Sequence, residues 1–170
     1  MLPRHWRMQH TRRSTGMQWL KPLLFGNTKA ADATYDILGF RFMVPCVTRW
    51  NSHYEAVKKV IAADSKLPEV CRALGLPSLL QADVAFLKEY LIVMAPLAAS
   101  LDIFQGDKHT SLGYILHTLT VLKKRLGALQ LRYTEALRDK LLQRIETCFG
   151  RYFKDKEFIL AAVSCSKSFC

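Results

Sequence analysis

Leu80, Val84, Leu87, Leu91, Met94, Ala98 and Leu101 recur at alternating spacings of four and three. That spacing places all of them on one face of a single α-helix. Phe86, Tyr90, Val93 and Leu97 widen the stripe beyond the seam of a two-stranded coil, so it predicts a helix buried among several neighbours. A chain built around such a helix needs other helices on more than one side of it. Ser78 with Gln81 has the spacing of a capping box before the stripe, and Gly106 is positioned to end it. Pro96 removes one backbone hydrogen bond and is expected to kink the helix.

The rest of the chain supplies those neighbours. Asn27 can cap a helix with Ala31, Tyr35 and Leu38 inward and Gly39 at its C′ position. Ser52 and Glu55 spell another capping box, opening a helix with Tyr54, Val57, Val60 and Ile61 inward and Lys58 and Lys59 outward. Pro68 suits the first turn of a short helix that Gly75 ends. Ser111 opens a further helix through Leu112, Ile115, Leu116, Leu119, Leu122, Leu126 and Leu129. Thr134 caps another through Leu137, Leu141, Ile145 and Phe149, and Phe158–Val163 is a short last one. Phe40–Val44 alternates weakly and stops at Pro45, which allows at most one short strand. The fold class read from these patterns is all-α, with six or seven helices. Residues 1–26 are read as an irregular basic segment, 27–163 as the helical domain and 164–170 as a divergent tail.

Charge and composition limit the function classes. The 25 Lys and Arg against 14 Asp and Glu leave a formal charge of +11 over 170 residues, with two basic ends around a neutral middle. Such a surplus favours a polyanionic partner, because phosphate contacts release condensed counterions; a merely soluble basic surface explains it equally well. Five cysteines form no CxxC pair and five histidines share no helix face at metal-ligand spacing, so neither a disulfide framework nor a metal site is expected. Glycine loops for phosphates, a GxSxG elbow and kinase signatures are all missing. No cofactor and no small-molecule substrate are therefore expected. Asp32/Asp36, Asp102/Asp107 and Glu135/Asp139 read as helix-terminal or surface pairs rather than catalytic ones. The longest uncharged stretch, Tyr90–Leu101, is shorter than the ~20 apolar residues that span a bilayer, and the basic start has no apolar run after it. No membrane partner and no signal peptide are expected.

Two groups of residues are candidates for binding. Lys123, Lys124 and Arg125 head a series of basic residues running through Arg132, Arg138 and Arg144 to Lys156. They read either as solvated outer helix faces or as a stripe that tracks phosphates. Thr48-Arg49-Trp50-Asn51-Ser52 places a stacking ring, a guanidinium and hydroxyl groups just before a helix N-terminus. Those are the parts that hold an unpaired base and its phosphate, and equally the parts of a hydrophobic anchor at a helix start.

Val44-Pro45 followed by Thr48-Arg49-Trp50-Asn51-Ser52-His53-Tyr54-Glu55-Ala56-Val57 resembles the TRWNS segment of hAT-type transposases and their BED zinc-finger relatives. Ala30-Ala31-Asp32 to Gly39, Phe86–Tyr90, Val93–Gly106, Thr118-Leu119 and Leu160–Val163 are similar to further landmarks of that family in the same order. The resemblance covers about residues 27–163. It implies the helical insertion of an RNase H-like domain, whose two Asp and one Glu bind divalent metal for strand transfer. The segments bearing those carboxylates have no counterpart here, nor does the BED finger, and Ser164–Cys170 departs from the family's continuation. What the resemblance implies is a truncated domain without catalysis of its own, nuclear, with DNA as partner. Arg49 and Trp50 carry over as DNA contacts, and Asn51, Lys123, Lys124 and Arg125 complete the candidate DNA-binding set. The alternative is a protein-interaction or vestigial module that self-associates or joins full-length relatives.

Overall fold

A computed structural model describes residue 23, residues 28–46, 51–105 and 112–165. Every regular element among them is helical. The elements are α1 (Thr28–Leu38), α2 (Ser52–Ala62), α3 (Leu67–Ala73), α4 (Gln81–Gln105), α5 (Leu112–Gly127), α6 (Glu135–Phe149) and α7 (Lys156–Cys165), with a 3₁₀ turn at Gly150–Lys154. The all-α expectation holds. The chain divides into two compact units between Lys88 and Glu89, a boundary that falls inside α4.

In the first unit, Ala56, Val57 and Val60 of α2 and Leu67, Val70 and Cys71 of α3 are buried, as is Leu87. Lys58 and Lys59 face outward, as the helical spacing requires. α1 packs on α3, and the Lys66 ammonium donates to the Ile37 carbonyl at 3.1 Å, one of the orphan acceptors at the end of α1. Gly39 ends α1 with φ +78° and Gly75 follows α3 with φ +64°. At Gly75 the closure is a complete Schellman motif: the Leu76 N–H donates to the Cys71 carbonyl and the Gly75 N–H to that of Arg72.

Several local expectations are corrected. Tyr35 is half exposed while Thr34 is buried, its hydroxyl donating to the Ala30 carbonyl at 2.7 Å. The Ser52 box does not open α2. Ser52 already lies within α2, with Asn51 at the N-cap, and its buried hydroxyl donates to the Cys46 carbonyl at 2.6 Å. The Ser52 hydroxyl thus donates back to the chain just before the helix, and the Glu55 N–H is taken by the Asn51 carbonyl. At α4 the Asp83 carboxylate accepts from the Leu80 N–H at 3.1 Å, a reach-back bond from the first turn of the helix. Leu80 itself is exposed. Phe40–Val44 joins no sheet; the rings of Phe40 and Phe42 meet edge-on, 5.9 Å between centroids. Asn27, Gly106 and Ser111, expected to bound helices, lie outside the described residues.

In the second unit, Val93 of α4, Leu119, Leu122 and Leu126 of α5 and Ile145 of α6 form one buried cluster. Leu97, Ile115, Leu137, Leu141 and Phe149 close around it. α5 packs against both α6 and α7. α7 starts two residues before Phe158, where the Asp155 carboxylate accepts from the Glu157 N–H at 3.0 Å. α4 runs through the charges at Lys88, Glu89 and Asp102, and over its 25 residues it is long and apolar enough to cross a membrane, by length and composition only. Leu87, Tyr90, Val93 and Ala98 are buried within the protein, and about a third of the helix's most apolar window is buried in all.

Candidate functional site

The middle of α4 reaches the N-terminus of α6 through one carboxylate. Glu89 accepts from the backbone N–H groups of Arg132 (3.0 Å), Tyr133 (2.7 Å) and Thr134 (3.0 Å) and from the Thr134 hydroxyl (3.2 Å). Arg132 and Tyr133 lead into the helix and Thr134 is its N-cap, a place where the macrodipole also favours negative charge. Burial alone would raise the Glu89 carboxyl; the three N–H groups and the hydroxyl outweigh it and hold the group below the usual carboxylate range. Thr134 is the N-cap residue, as its position in the sequence suggests, but its hydroxyl makes no side-chain cap bond to α6. Glu89 supplies the cap instead. Nothing in the local pattern reveals this, because the partners stand 43 to 45 residues apart.

The candidate DNA contacts fall in different places. Arg49 and Trp50 lie outside the described residues. Asn51 is half-buried at the start of α2, in the other unit from the basic triplet. Lys123, Lys124 and Arg125 are consecutive on α5, so they point about 100° apart. Lys123 is taken up within the fold: its ammonium pairs with Glu146 and lies 4.8 Å from the centre of the Phe153 ring. That pairing holds the Glu146 carboxyl below its ordinary value. Lys124 and Arg125 are exposed. Of the later basic residues, Arg138 donates to the Leu129 carbonyl and pairs with Glu135 and Asp139, and Arg151 stacks on Tyr152. The described residues hold 17 Lys and Arg against 13 Asp and Glu, so most of the +11 surplus belongs to the segments outside them.

An apolar face of α4 remains uncovered in the second unit. Ile92, Pro96, Ala99 and Ile103 follow one another at spacings of four, three and four, a single stripe along the helix. Ile92 is 51% exposed and Ile103 36%. The stripe runs into a groove of about 240 Å³, whose other wall is Val121 and Leu122 of α5. Tyr114, His117 and Arg125 stand along the same wall. Ser100 adds little polarity, since its hydroxyl donates to the Pro96 carbonyl at 2.8 Å. The groove suits apolar side chains with a carboxylate near Arg125. No group of three His, Cys, Asp or Glu able to hold a metal ion occurs among the described residues.

Comparison with known proteins adds no relative: no family model, curated protein or solved structure matches the chain.

Proposed function

We propose that this chain is an hAT-transposase-derived helical domain without catalysis of its own, and that it works by associating with another protein through the uncovered face of α4. The observation that carries the reading is the stripe Ile92–Pro96–Ala99–Ile103 beside the groove. A helix apolar on all sides is normally enclosed; here only about a third of its most apolar window is buried. Contiguous exposed apolar surface of this kind marks interaction sites. The family is supported by the ordered TRWNS and long-helix landmarks of the sequence and by the helical architecture.

Charge supports DNA binding as a second reading. Lys124 and Arg125 are exposed, and residues 1–26 are strongly basic. The nuclear location implied by the resemblance belongs to this reading.

An Ile92→Glu/Ile103→Glu double variant tests the association reading. It is expected to keep the helical circular dichroism and to lose most of the fluorescence of an apolar dye bound to the native protein. Undiminished dye binding would end the proposal. Titration of hairpin DNA at low and moderate salt tests the second reading: phosphate contacts require affinity that falls steeply with salt, and salt-independent or absent binding removes it.

A further inference from the structure

The carboxylate of Glu146, on α6, lies in a cradle built by two further segments of the second unit. From α5 the Lys123 ammonium donates to it. Lys154, the last residue of the 3₁₀ turn, adds a second positive charge that favours its ionised form. The floor is Gly150: a Cβ built there would stand 2.7 Å from Glu146 Oε1 and 3.3 Å from the carboxyl carbon, closer than side chains pack. Gly150 has φ −55° and ψ −33°, an ordinary right-handed conformation. What its missing side chain provides here is room for the anion. The Phe153 ring walls one side, 4.8 Å from the Lys123 ammonium. Two cations, a backbone approached without a Cβ and an apolar wall are the parts of a site for one oxyanion.

The present occupant is easily replaced. The Lys123 side chain is 35% exposed and that of Glu146 60%, and an exposed ion pair gains little over its hydrated halves. A phosphate oxyanion makes the same charge-assisted bonds, and a nucleic-acid strand brings further phosphates to exposed cations such as Arg151 and Lys156 on either side of Lys154. The acidic groups of that segment are Asp155 and Glu157, and the Asp155 carboxylate is engaged by the Glu157 N–H at 3.0 Å. We propose that the cradle of Lys123, Lys154 and Gly150 is a phosphodiester site for a nucleic-acid backbone, which Glu146 fills in the free protein as a built-in competitor. This rests on the DNA reading above and names the group that receives the strand. It also gives the pairing of Lys123 a role: the lysine is held in place and released when a phosphate arrives.

Titration of hairpin DNA with the full chain over a range of salt concentrations tests the proposal. Glu146→Gln is expected to bind roughly threefold or more tightly than wild type, with a log–log salt slope steeper by about one, the mark of one added phosphate contact. Glu157→Gln removes an equal charge from α7 and is expected to leave the slope unchanged. Lys123→Ala/Glu146→Gln is expected to return affinity and slope to those of wild type, with circular dichroism unchanged throughout. In wild type the carbon-13 resonance of the Glu146 carboxyl is expected to titrate at higher pH once DNA is bound, because Lys123 has left it, and inorganic phosphate at the same ionic strength is expected to leave it unmoved. Equal affinity and slope for wild type and Glu146→Gln overturn the proposal and leave the DNA reading standing. A gain that Glu157→Gln reproduces, or that survives the loss of Lys123, overturns it as well, and so does release of Glu146 by inorganic phosphate alone. Absence of DNA binding by both wild type and Glu146→Gln removes the proposal and the DNA reading together.

Discussion

Glu89 caps a helix that begins with Glu135, its carboxylate taking the backbone N–H of Thr134 at 3.0 Å and that residue's hydroxyl at 3.2 Å. With the N–H groups of Arg132 and Tyr133, one side chain satisfies three backbone donors. Glu89→Gln keeps the shape but replaces a charged acceptor by a neutral one. Hydrogen bonds to a charged group are worth about 1.5–3 kcal/mol each and a lost cap about 1 kcal/mol, without simple addition. Urea unfolding is expected to show a loss of about 2 kcal/mol, and a loss below a few tenths would show that water replaces the carboxylate at no cost.

The same carboxylate sets an acid limb. Its pKa is lower folded than unfolded, so between the two values the unfolded chain binds more protons and stability rises with pH. The Glu89 contribution is complete above the ordinary carboxylate range and is lost as pH falls through that range and below. The stability difference between wild type and Glu89→Gln is therefore expected to be constant near neutrality and to shrink towards pH 3. A difference independent of pH would assign the effect to packing.

Gly75 sits at φ +64° with no heavy atom near a Cβ built on it. Its substitution by Ala meets backbone strain alone, about 1–2 kcal/mol for a left-handed residue. Gly75→Asn is expected to cost less, since asparagine tolerates that conformation. Equal costs for the two, read from denaturant midpoints, would contradict the Schellman assignment.

Leu119 is 2% exposed in the second unit's core. Truncation to Ala removes its transfer energy and leaves a cavity, expected to cost about 2–5 kcal/mol. The exposed Leu160→Ala is expected to change the stability of the monomer by less than about 0.5 kcal/mol. Thermal unfolding at low concentration checks both.

Cysteine reactivity reports burial directly. Cys46 and Cys148 are exposed and Cys71 is buried, and that burial pushes the Cys71 thiol above its usual value. Alkylation at pH 8 followed by peptide mapping is expected to label Cys46 and Cys148 quickly and Cys71 only on unfolding, because the thiolate is the reacting form. Equal labelling of all three would show that α3 opens readily.

The amino-acid order by itself determined the helical class and the phase of most helices. Val57 and Val60, Leu119, Leu122 and Leu126 are buried where their spacing places them, and Pro68 and Gly75 bound their helix as written. Periodicity is a local property, and helical propensity and apolar spacing need no knowledge of neighbours. The tertiary structure alone decided how helix ends are satisfied and which apolar residues stay outside. Ser52 turns to the Cys46 carbonyl, Asp83 takes the Leu80 N–H at the start of α4, and Glu89 caps α6 across more than forty residues. In the same way Lys123 pairs with Glu146 while Arg125 is exposed, and Ile92 stays exposed on a helix whose Leu87 and Val93 are buried, Leu160 on one whose Phe158 and Ala161 are half-buried. The reason is physical: an orphan N–H or an apolar stripe states a need, and only the assembled helices settle which group meets it.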